Sequence, residues 1–176
     1  MYKKKKALKM LSLLLFIVVA IFFSYSFFFG PSTYSEFNKN IDVWDGKTIS
    51  TNFTYGNGSI DNPYQITSSA DFLYFQKVIS EDKTYLDKNY VLTTNLDLNN
   101  FSFPNIGNKN NYFRGNFDGC GYTISNINLD TSTDIDGENY HSLFVRIENS
   151  TIKNLNISNE KIISNTEKTD HVSLLI

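Results

Sequence analysis

A short phrase occurs three times in this chain and constrains its fold more than any other feature. Residues Thr123 to Leu129 read T-I-S-N-I-N-L, residues Thr151 to Ile157 read T-I-K-N-L-N-I, and a weaker copy covers Leu92 to Leu98. A second phrase, S-L-F-V at Ser142 to Val145, returns at a similar interval as S-L-L-I at Ser173 to Ile176. Repeats of about 20 to 50 residues are typical of folds in which each unit buries its apolar face against its neighbours.

Each copy of the first phrase has a central asparagine where the apolar spacing changes. In the two stronger copies the apolar residues are three apart across the asparagine and two apart after it, whereas an uninterrupted strand keeps a spacing of two. We therefore expect a bend there. Stacked asparagines hydrogen-bond from strand to strand in cross-β ladders. We predict a structural ladder formed by Asn95, Asn126 and Asn154. In this ladder the bend of each repeat stacks on the bend of its neighbour.

The remaining pattern indicates short strands and one helix. Ser68 and Asp71 form a partial helix-start signal, and apolar residues then recur at helical spacing, which predicts a helix over about 69–80. Alternating runs between turn residues predict strands at Ile41–Trp44, Thr48–Tyr55, Tyr90–Leu98, Tyr112–Phe117, Tyr122–Leu129, Leu143–Ile147, Thr151–Ile157 and Val172–Ile176.

The N-terminal segment 1–30 differs from the rest of the chain. Five lysines precede a run from Met10 to Phe29 that is apolar almost throughout, which suits a membrane-spanning signal anchor with a cytoplasmic N-terminus. Cleavage near Ser24–Ser26 is the alternative, and it would give a secreted protein. We therefore divide the chain into an anchor or signal peptide (1–30), a tether (31–40), a cap region containing the helix (41–89) and strand repeats (90–176). The final residues are apolar and lack a polar cap, so we expect a truncated repeat whose open end pairs with further repeats.

Charge and cysteine content exclude some classes of function. Five of the 16 Lys and Arg residues lie in segment 1–30, so the remainder has fewer basic groups than its 18 Asp and Glu residues. This acidic remainder does not suit a nucleic-acid partner. The single cysteine, Cys120, excludes an internal disulfide, and we interpret it as a small packed or semi-exposed side chain.

The part of the chain after residue 30 resembles bacterial surface proteins with the GLUG motif. The longest shared segment runs from Phe113 to Ile127 and reads F-R-G-N-F-D-G-C-G-Y-T-I-S-N-I. Further matches are Trp44-Asp45-Gly46, Asn62-Pro63-Tyr64-Gln65-Ile66, Tyr90-Val91-Leu92 and Asn95-Leu96-Asp97-Leu98. The glycines that give the motif its name are absent from Ser142–Val145 and Ser173–Ile176. The resemblance implies a right-handed β-solenoid, here incomplete and of few coils, in an extracellular setting and without catalytic activity.

Enzyme and metal sites are the alternatives to a binding module. Carbohydrate-active β-helix enzymes need clustered carboxylates, and Asp97 with Asp118 is one pair that neighbouring coils could bring together. His141 and His171 each lie beside a predicted strand, and two histidines alone make a weak metal pair. An acidic loop over 130–138 lacks the register of an EF-hand and leaves only a weak calcium site.

We predict a mainly β, membrane-anchored surface protein that binds without catalysis and needs no cofactor. The candidate partners are the membrane, through residues 10–29, and a glycan or another surface protein, with exposed tyrosines as stacking groups. A structural spacer, or a fragment of a larger surface protein, is the remaining alternative.

Overall fold

The structure is a computed structural model that describes residues 40–129, 133–135, 138–162 and 170–172. Over these residues the chain forms short strands, most of them in parallel sheets, and one α-helix. The predicted anchor at 1–30, the tether up to residue 39 and the final Ser173–Ile176 lie outside the described residues. Within the described ranges no helix combines the length and the apolar character that a bilayer crossing requires.

Two four-stranded parallel sheets make up most of the fold. We call them the first sheet, in the order β1-β4-β6-β11, and the second sheet, in the order β2-β3-β5-β10. The first sheet consists of β1 (Ile41–Val43), β4 (Asn95–Asp97), β6 (Thr123–Ser125) and β11 (Asn156–Ser158). The second sheet consists of β2 (Tyr64–Ile66), β3 (Asn89–Leu92), β5 (Asn116–Asp118) and β10 (Thr151–Lys153).

Smaller sheets extend this arrangement. β7 (Asn128–Leu129) pairs in parallel with β12 (Lys161–Ile162). β8 (Thr133–Ile135) and β9 (Glu138–His141) form an antiparallel pair, and β13 (Asp170–Val172) adds to β9 in parallel. The register of β13 on β9 places Asp170 beside Asn139. The sequence interval between Asn139 and Asp170 equals the interval between the two copies of the S-L-F-V phrase. The second copy lies outside the described residues.

From β3 onward the chain passes repeatedly from the second sheet to the first, and we call each such passage a rung. β3 and β4, then β5 and β6, then β10 and β11 form three successive rungs, each stacked on the one before. Successive side chains of a strand point to opposite sides. Phe117 and Ile124 therefore point into the core and are at most 1% exposed, while Asn116 and Asp118 face outward.

The helix α1 (Ser69–Glu81) lies between β2 and β3 in the chain and confirms the helix predicted over about 69–80. The Ser68 hydroxyl caps it by accepting the backbone N–H of Asp71 at 3.1 Å. Asp42 of β1 accepts the N–H of Ser69 at 2.6 Å, which ties the helix start to the first sheet. One face of the helix is buried in the core, including Phe72 and Phe75 at 0% exposure.

The strand predicted at Thr48–Tyr55 is wrong, because this segment forms bends and no strand. A tight turn explains the difference. The Asp45 carboxylate accepts the backbone N–H groups of Lys47 and Thr48, and the indole of Trp44 donates to the carbonyl of Thr48 at 2.9 Å. Phe53 is buried among tyrosine rings. Side-chain packing therefore holds this segment in place of ladder hydrogen bonds.

Other predicted strands are shorter than expected. The run Tyr90–Leu98 divides at Thr93 into β3, which pairs with β2 and β5, and β4, which pairs with β1 and β6. The Leu143–Ile147 segment is no strand and makes two isolated bridges, from Phe144 to Ile106 and from Ile147 to Phe113.

Aromatic rings occupy the centre of the core. Phe75 of the helix lies 4.6 Å from the ring of Tyr90 and 5.4 Å from that of Phe117, measured between centroids. Its ring also lies near those of Phe113 and Phe144. One helical side chain thus contacts residues from several rungs.

We expect Phe75→Ala to lower the free energy of unfolding by about 3–5 kcal/mol, because it leaves a cavity where these rings meet. Chemical denaturation monitored by circular dichroism measures the change. Lys77→Ala on the exposed side of the same helix is the control and should change stability little. Equal losses in the two variants would contradict the packing role of Phe75.

Candidate binding groove

The outer face of the second sheet carries a groove of about 310 Å³. Its floor is made by the outward side chains of β3, β5 and β10, and one wall is the loop that precedes β2. The lining residues are Ile60, Pro63, Asn89, Tyr90, Val91, Asn116, Asp118, Thr151 and Lys153.

The parallel register arranges the floor in rows. Asn89 pairs with Asn116, which pairs with Thr151, so the first row carries two amides and a hydroxyl. The Asn116 amide donates to the Asn89 side-chain oxygen at 2.7 Å, and the Asn89 amide donates to the Gly58 carbonyl at 3.0 Å. Hydrogen bonds within the row therefore fix the orientation of both amides.

The second row contains Val91, Asp118 and Lys153, in the same register. The Lys153 ammonium lies 3.3 Å from the Asp118 carboxylate, so the two formal charges compensate each other. The backbone N–H of Cys120 holds the pKa of Asp118 below its usual value, with further help from Asn154 and Lys153 and against the opposing effect of burial. The carboxylate therefore stays ionised.

The wall of the groove is the loop 56–63, which displays Ile60 at 77% exposure. The backbone N–H groups of Asn57 and Gly58 both donate to the carbonyl of Asn62, and the Gly58 carbonyl accepts from Asn89. Gly56 has a φ of +85°, and a Cβ there would lie 1.9 Å from a backbone oxygen of Pro63. The backbone hydrogen bonds and the glycine at position 56 thus hold the loop in a conformation that leaves Ile60 exposed to water.

The structure does not bring the three predicted ladder asparagines into one column. Asn126 and Asn154 do lie at bends, with φ of +54° and +52°. The Asn126 amide donates to Asp97 at 2.7 Å, and the Asn154 amide donates to Asp118 at 3.0 Å. Asn95 lies within β4, where its side-chain oxygen accepts the N–H of Thr123 at 2.9 Å.

The repeated phrase explains this placement. Its copy at Thr123 forms β6 of the first sheet, whereas its copy at Thr151 forms β10 of the second sheet, so the two copies do not stack on each other. Both copies stack on a strand of the form Asn-apolar-Asp, at 95–97 and at 116–118. The residue that stacks on Asn126 in the next rung is Asn159, whose amide donates to the Asn126 side-chain oxygen.

The carboxylates proposed as a catalytic pair lie in different sheets, Asp97 in β4 and Asp118 in β5. Each carboxylate accepts a hydrogen bond from an asparagine amide of the next rung. Each also accepts the backbone N–H of the residue two positions later, in the turn that follows its strand. These four contacts stabilise turns, and Asp118 also pairs with Lys153 in the groove.

The structure also places the other candidate residues. His171 pairs with Tyr140, one residue away from the predicted partner His141. Cys120 is exposed at the surface. Partial desolvation of its sulfur, together with the neighbouring Asp118 carboxylate, raises the pKa of its thiol. The whole acidic loop over 130–138 lies outside the residues whose side chains are described. Among the described side chains no cluster of three metal-ligating residues occurs.

Four of the eight described tyrosines, Tyr64, Tyr74, Tyr85 and Tyr90, lie in a cluster around Phe53 and are not free stacking groups. The rings of Tyr64, Tyr74 and Tyr85 lie between 4.7 and 6.3 Å from the Phe53 ring. Hydrogen bonding to Tyr85 raises the pKa of Tyr74 to about 12. Tyr55 is 56% exposed and lies outside this cluster.

Sequence reasoning missed the groove residues Ile60, Asn89, Asn116 and Thr151. Ile60 offers a signal, since it stands alone as an apolar residue between turn residues. The row of Asn89, Asn116 and Thr151 offers none, because the intervals between its members match those of no repeated phrase.

Comparison with known proteins gives one point of similarity. No protein-family model matches the chain, and no solved structure matches it. The chain is similar to halomucin of Haloquadratum walsbyi (strain DSM 16790 / HBSQ001), with 32% identity over 123 residues. The matched part is 64% of this chain and 1% of halomucin, so the chain spans a very small fraction of that protein's length.

We expect Asn126→Gly to lower the free energy of unfolding by about 1–2 kcal/mol, because it removes the amide contacts with Asp97 and Asn159. Asn126→Ala should cost about 1 kcal/mol more, since alanine disfavours the left-handed backbone that glycine accepts. Denaturant titration measures both. Asn110→Ala, in an exposed loop, is the control. Equal stability of the glycine and alanine variants would contradict the backbone part of this prediction.

The lowered pKa of Asp118 predicts a pH dependence. Its carboxylate contributes stability above the ordinary value of 3.8, and that contribution is lost as the pH falls through the lower folded-state value. Between about pH 5 and about pH 2, the wild type should lose stability more steeply than Asp118→Asn. Parallel slopes in urea titrations of the two proteins would show that this carboxylate does not favour the folded state.

Proposed function

We propose that this chain is a non-catalytic binding module displayed at a cell surface. The observation that carries the proposal is the groove on the second sheet, which combines a floor of polar rows with the exposed Ile60. An isoleucine that a hydrogen-bonded loop keeps in water contributes little to folding, because burial is what makes such a side chain stabilising. A binding surface accounts for it.

We further propose that the two parallel sheets are faces of a right-handed β-solenoid of the kind implied by the GLUG-motif resemblance. The alternation of the chain between the sheets supports this, since each rung stacks on its predecessor. Two of the three glycines of the resembling segment, Gly115 and Gly119, lie at close approaches between rungs. A Cβ at Gly115 would lie 1.9 Å from the Lys88 carbonyl oxygen, and one at Gly119 would lie 2.5 Å from that of Asn154.

The location at the cell surface rests on two supports. In the sequence, lysines precede the apolar run Met10 to Phe29, which suits a single-pass anchor with the chain beyond it outside, or a cleaved signal. The similarity to halomucin is the second support. On this proposal the chain is held in the membrane through residues 10–29 and presents its groove to the exterior.

A binding role is favoured over the two alternatives. A glycosidase needs two carboxylates about 5–10 Å apart on either side of the scissile bond. Asp97 and Asp118 instead lie in different sheets, and each carboxylate accepts an asparagine amide of the next rung. A pure spacer needs no exposed Ile60. We therefore propose that binding requires no cofactor and no catalytic residue.

Protease treatment of intact cells that express the tagged full chain tests the location. We expect loss of a C-terminal tag from intact cells and retention of an N-terminal tag until the cells are lysed. A C-terminal tag protected until lysis would refute the exterior location.

Binding is tested by measuring retention of the purified full chain on intact cells, compared with Ile60→Ala. We expect the variant to be retained several-fold less at equal protein concentration. Ile49→Ala, which alters an isoleucine that is 45% exposed elsewhere, should bind like the wild type. Absence of retention for the wild type on every cell surface tried would refute the binding role.

A further inference from the structure

We infer that the groove on the second sheet binds a neutral glycan chain, with sugar hydroxyl groups on the polar floor and a sugar ring against Ile60. This inference rests on the proposed binding function and names its ligand class. The backbone, the charge and the loop of the groove each support it.

The backbone of the two central floor strands, β3 and β5, is already paired and does not serve as the binding element here. Peptides that add to a sheet bond to the free backbone of an edge strand. The groove floor is instead a sheet face, where β3 and β5 already pair on both sides with their neighbours. The groups left for a ligand are side-chain amides, a hydroxyl and an ion pair, which suit a ligand rich in hydroxyl groups.

The charge of the groove favours a neutral ligand. Its floor holds one carboxylate and one ammonium group, Asp118 and Lys153, at 3.3 Å from each other. The Asp118 carboxylate would repel a polyanion. A polycation would compete with the Lys153 ammonium for the Asp118 carboxylate. An uncharged glycan leaves this pair intact and can accept and donate hydrogen bonds at its oxygen atoms.

The first row offers polar groups at a regular spacing. Asn89, Asn116 and Thr151 lie on adjacent parallel strands, which are about 4.8 Å apart in a sheet. The amide-to-amide bond of Asn116 holds this row in one orientation before a ligand arrives. Such preorganisation lowers the entropy lost on binding.

Ile60 supplies the apolar contact. Its loop is closed by the bonds to the Asn62 carbonyl and is joined to the floor through Asn89. The loop is therefore fixed relative to the polar row. A side chain that is 77% exposed gains buried area when the C–H face of a sugar ring covers it.

The experiment screens the purified full chain against a printed panel of neutral, anionic and cationic oligosaccharides, together with a panel of extended peptides. We expect binding to neutral oligosaccharides that persists at high salt. Calorimetry with the best neutral oligosaccharide should then show about tenfold weaker binding for Ile60→Ala and for Thr151→Ala. Ile49→Ala and Thr54→Ala are the matched surface controls and should keep wild-type affinity.

The outcomes separate this inference from the proposed function. Binding confined to anionic oligosaccharides and lost at high salt would overturn the neutral-glycan assignment. Binding to peptides alone, weakened by Ile60→Ala, would overturn the neutral-glycan assignment but would still support the proposed binding function. Neutral-glycan binding unchanged in both groove variants would move the site elsewhere and overturn the assignment to this groove. Failure to bind any panel or any cell surface would refute the binding function itself.

Discussion

Side-chain hydrogen bonds at the bends between strands hold the parallel rungs in register. At two bends a strand ends in an aspartate, Asp97 or Asp118, whose carboxylate accepts the amide of an asparagine one rung later. Those asparagines, Asn126 and Asn154, adopt the left-handed backbone that ends the strand. A slip of one residue would turn Ile124 toward water, because side chains alternate along a strand. The bends and the core therefore specify the same register.

The groove depends on this register. Phe117 can lie in the core only if Asn116 and Asp118 face outward, and the pairing of β5 with its neighbours then aligns Asn116 with Asn89 and Asp118 with Lys153. Asp118 belongs to both systems, since it accepts an amide at a bend and faces Lys153 in the groove. A change at the bend is therefore expected to disturb the groove floor as well as the fold.

Several features are predictable because they arise from neighbouring residues. The helix follows from a capping serine and from apolar spacing, and the structure gives it as Ser69–Glu81. The bends at Asn126 and Asn154 follow from a break in apolar alternation, and both residues have positive φ. The segment Thr48–Tyr55 is no strand although its sequence predicts one, since alternation alone does not report that Phe53 is held by aromatic rings from elsewhere in the chain.

The sequence by itself determined the helix, several of the short strands and the bends at Asn126 and Asn154, because these depend on local propensity and on the residue types that tolerate a left-handed backbone. Only the tertiary structure decided which strands stack. The antiparallel pair β8 and β9 lies between the copies of the repeated phrase and lengthens that rung, so more chain separates the paired residues of β5 and β10 than those of β4 and β6. The second copy therefore enters the second sheet, where it stacks on Asn116–Asp118. Pairing depends on the length of the intervening chain and on burial, and a repeated phrase records neither.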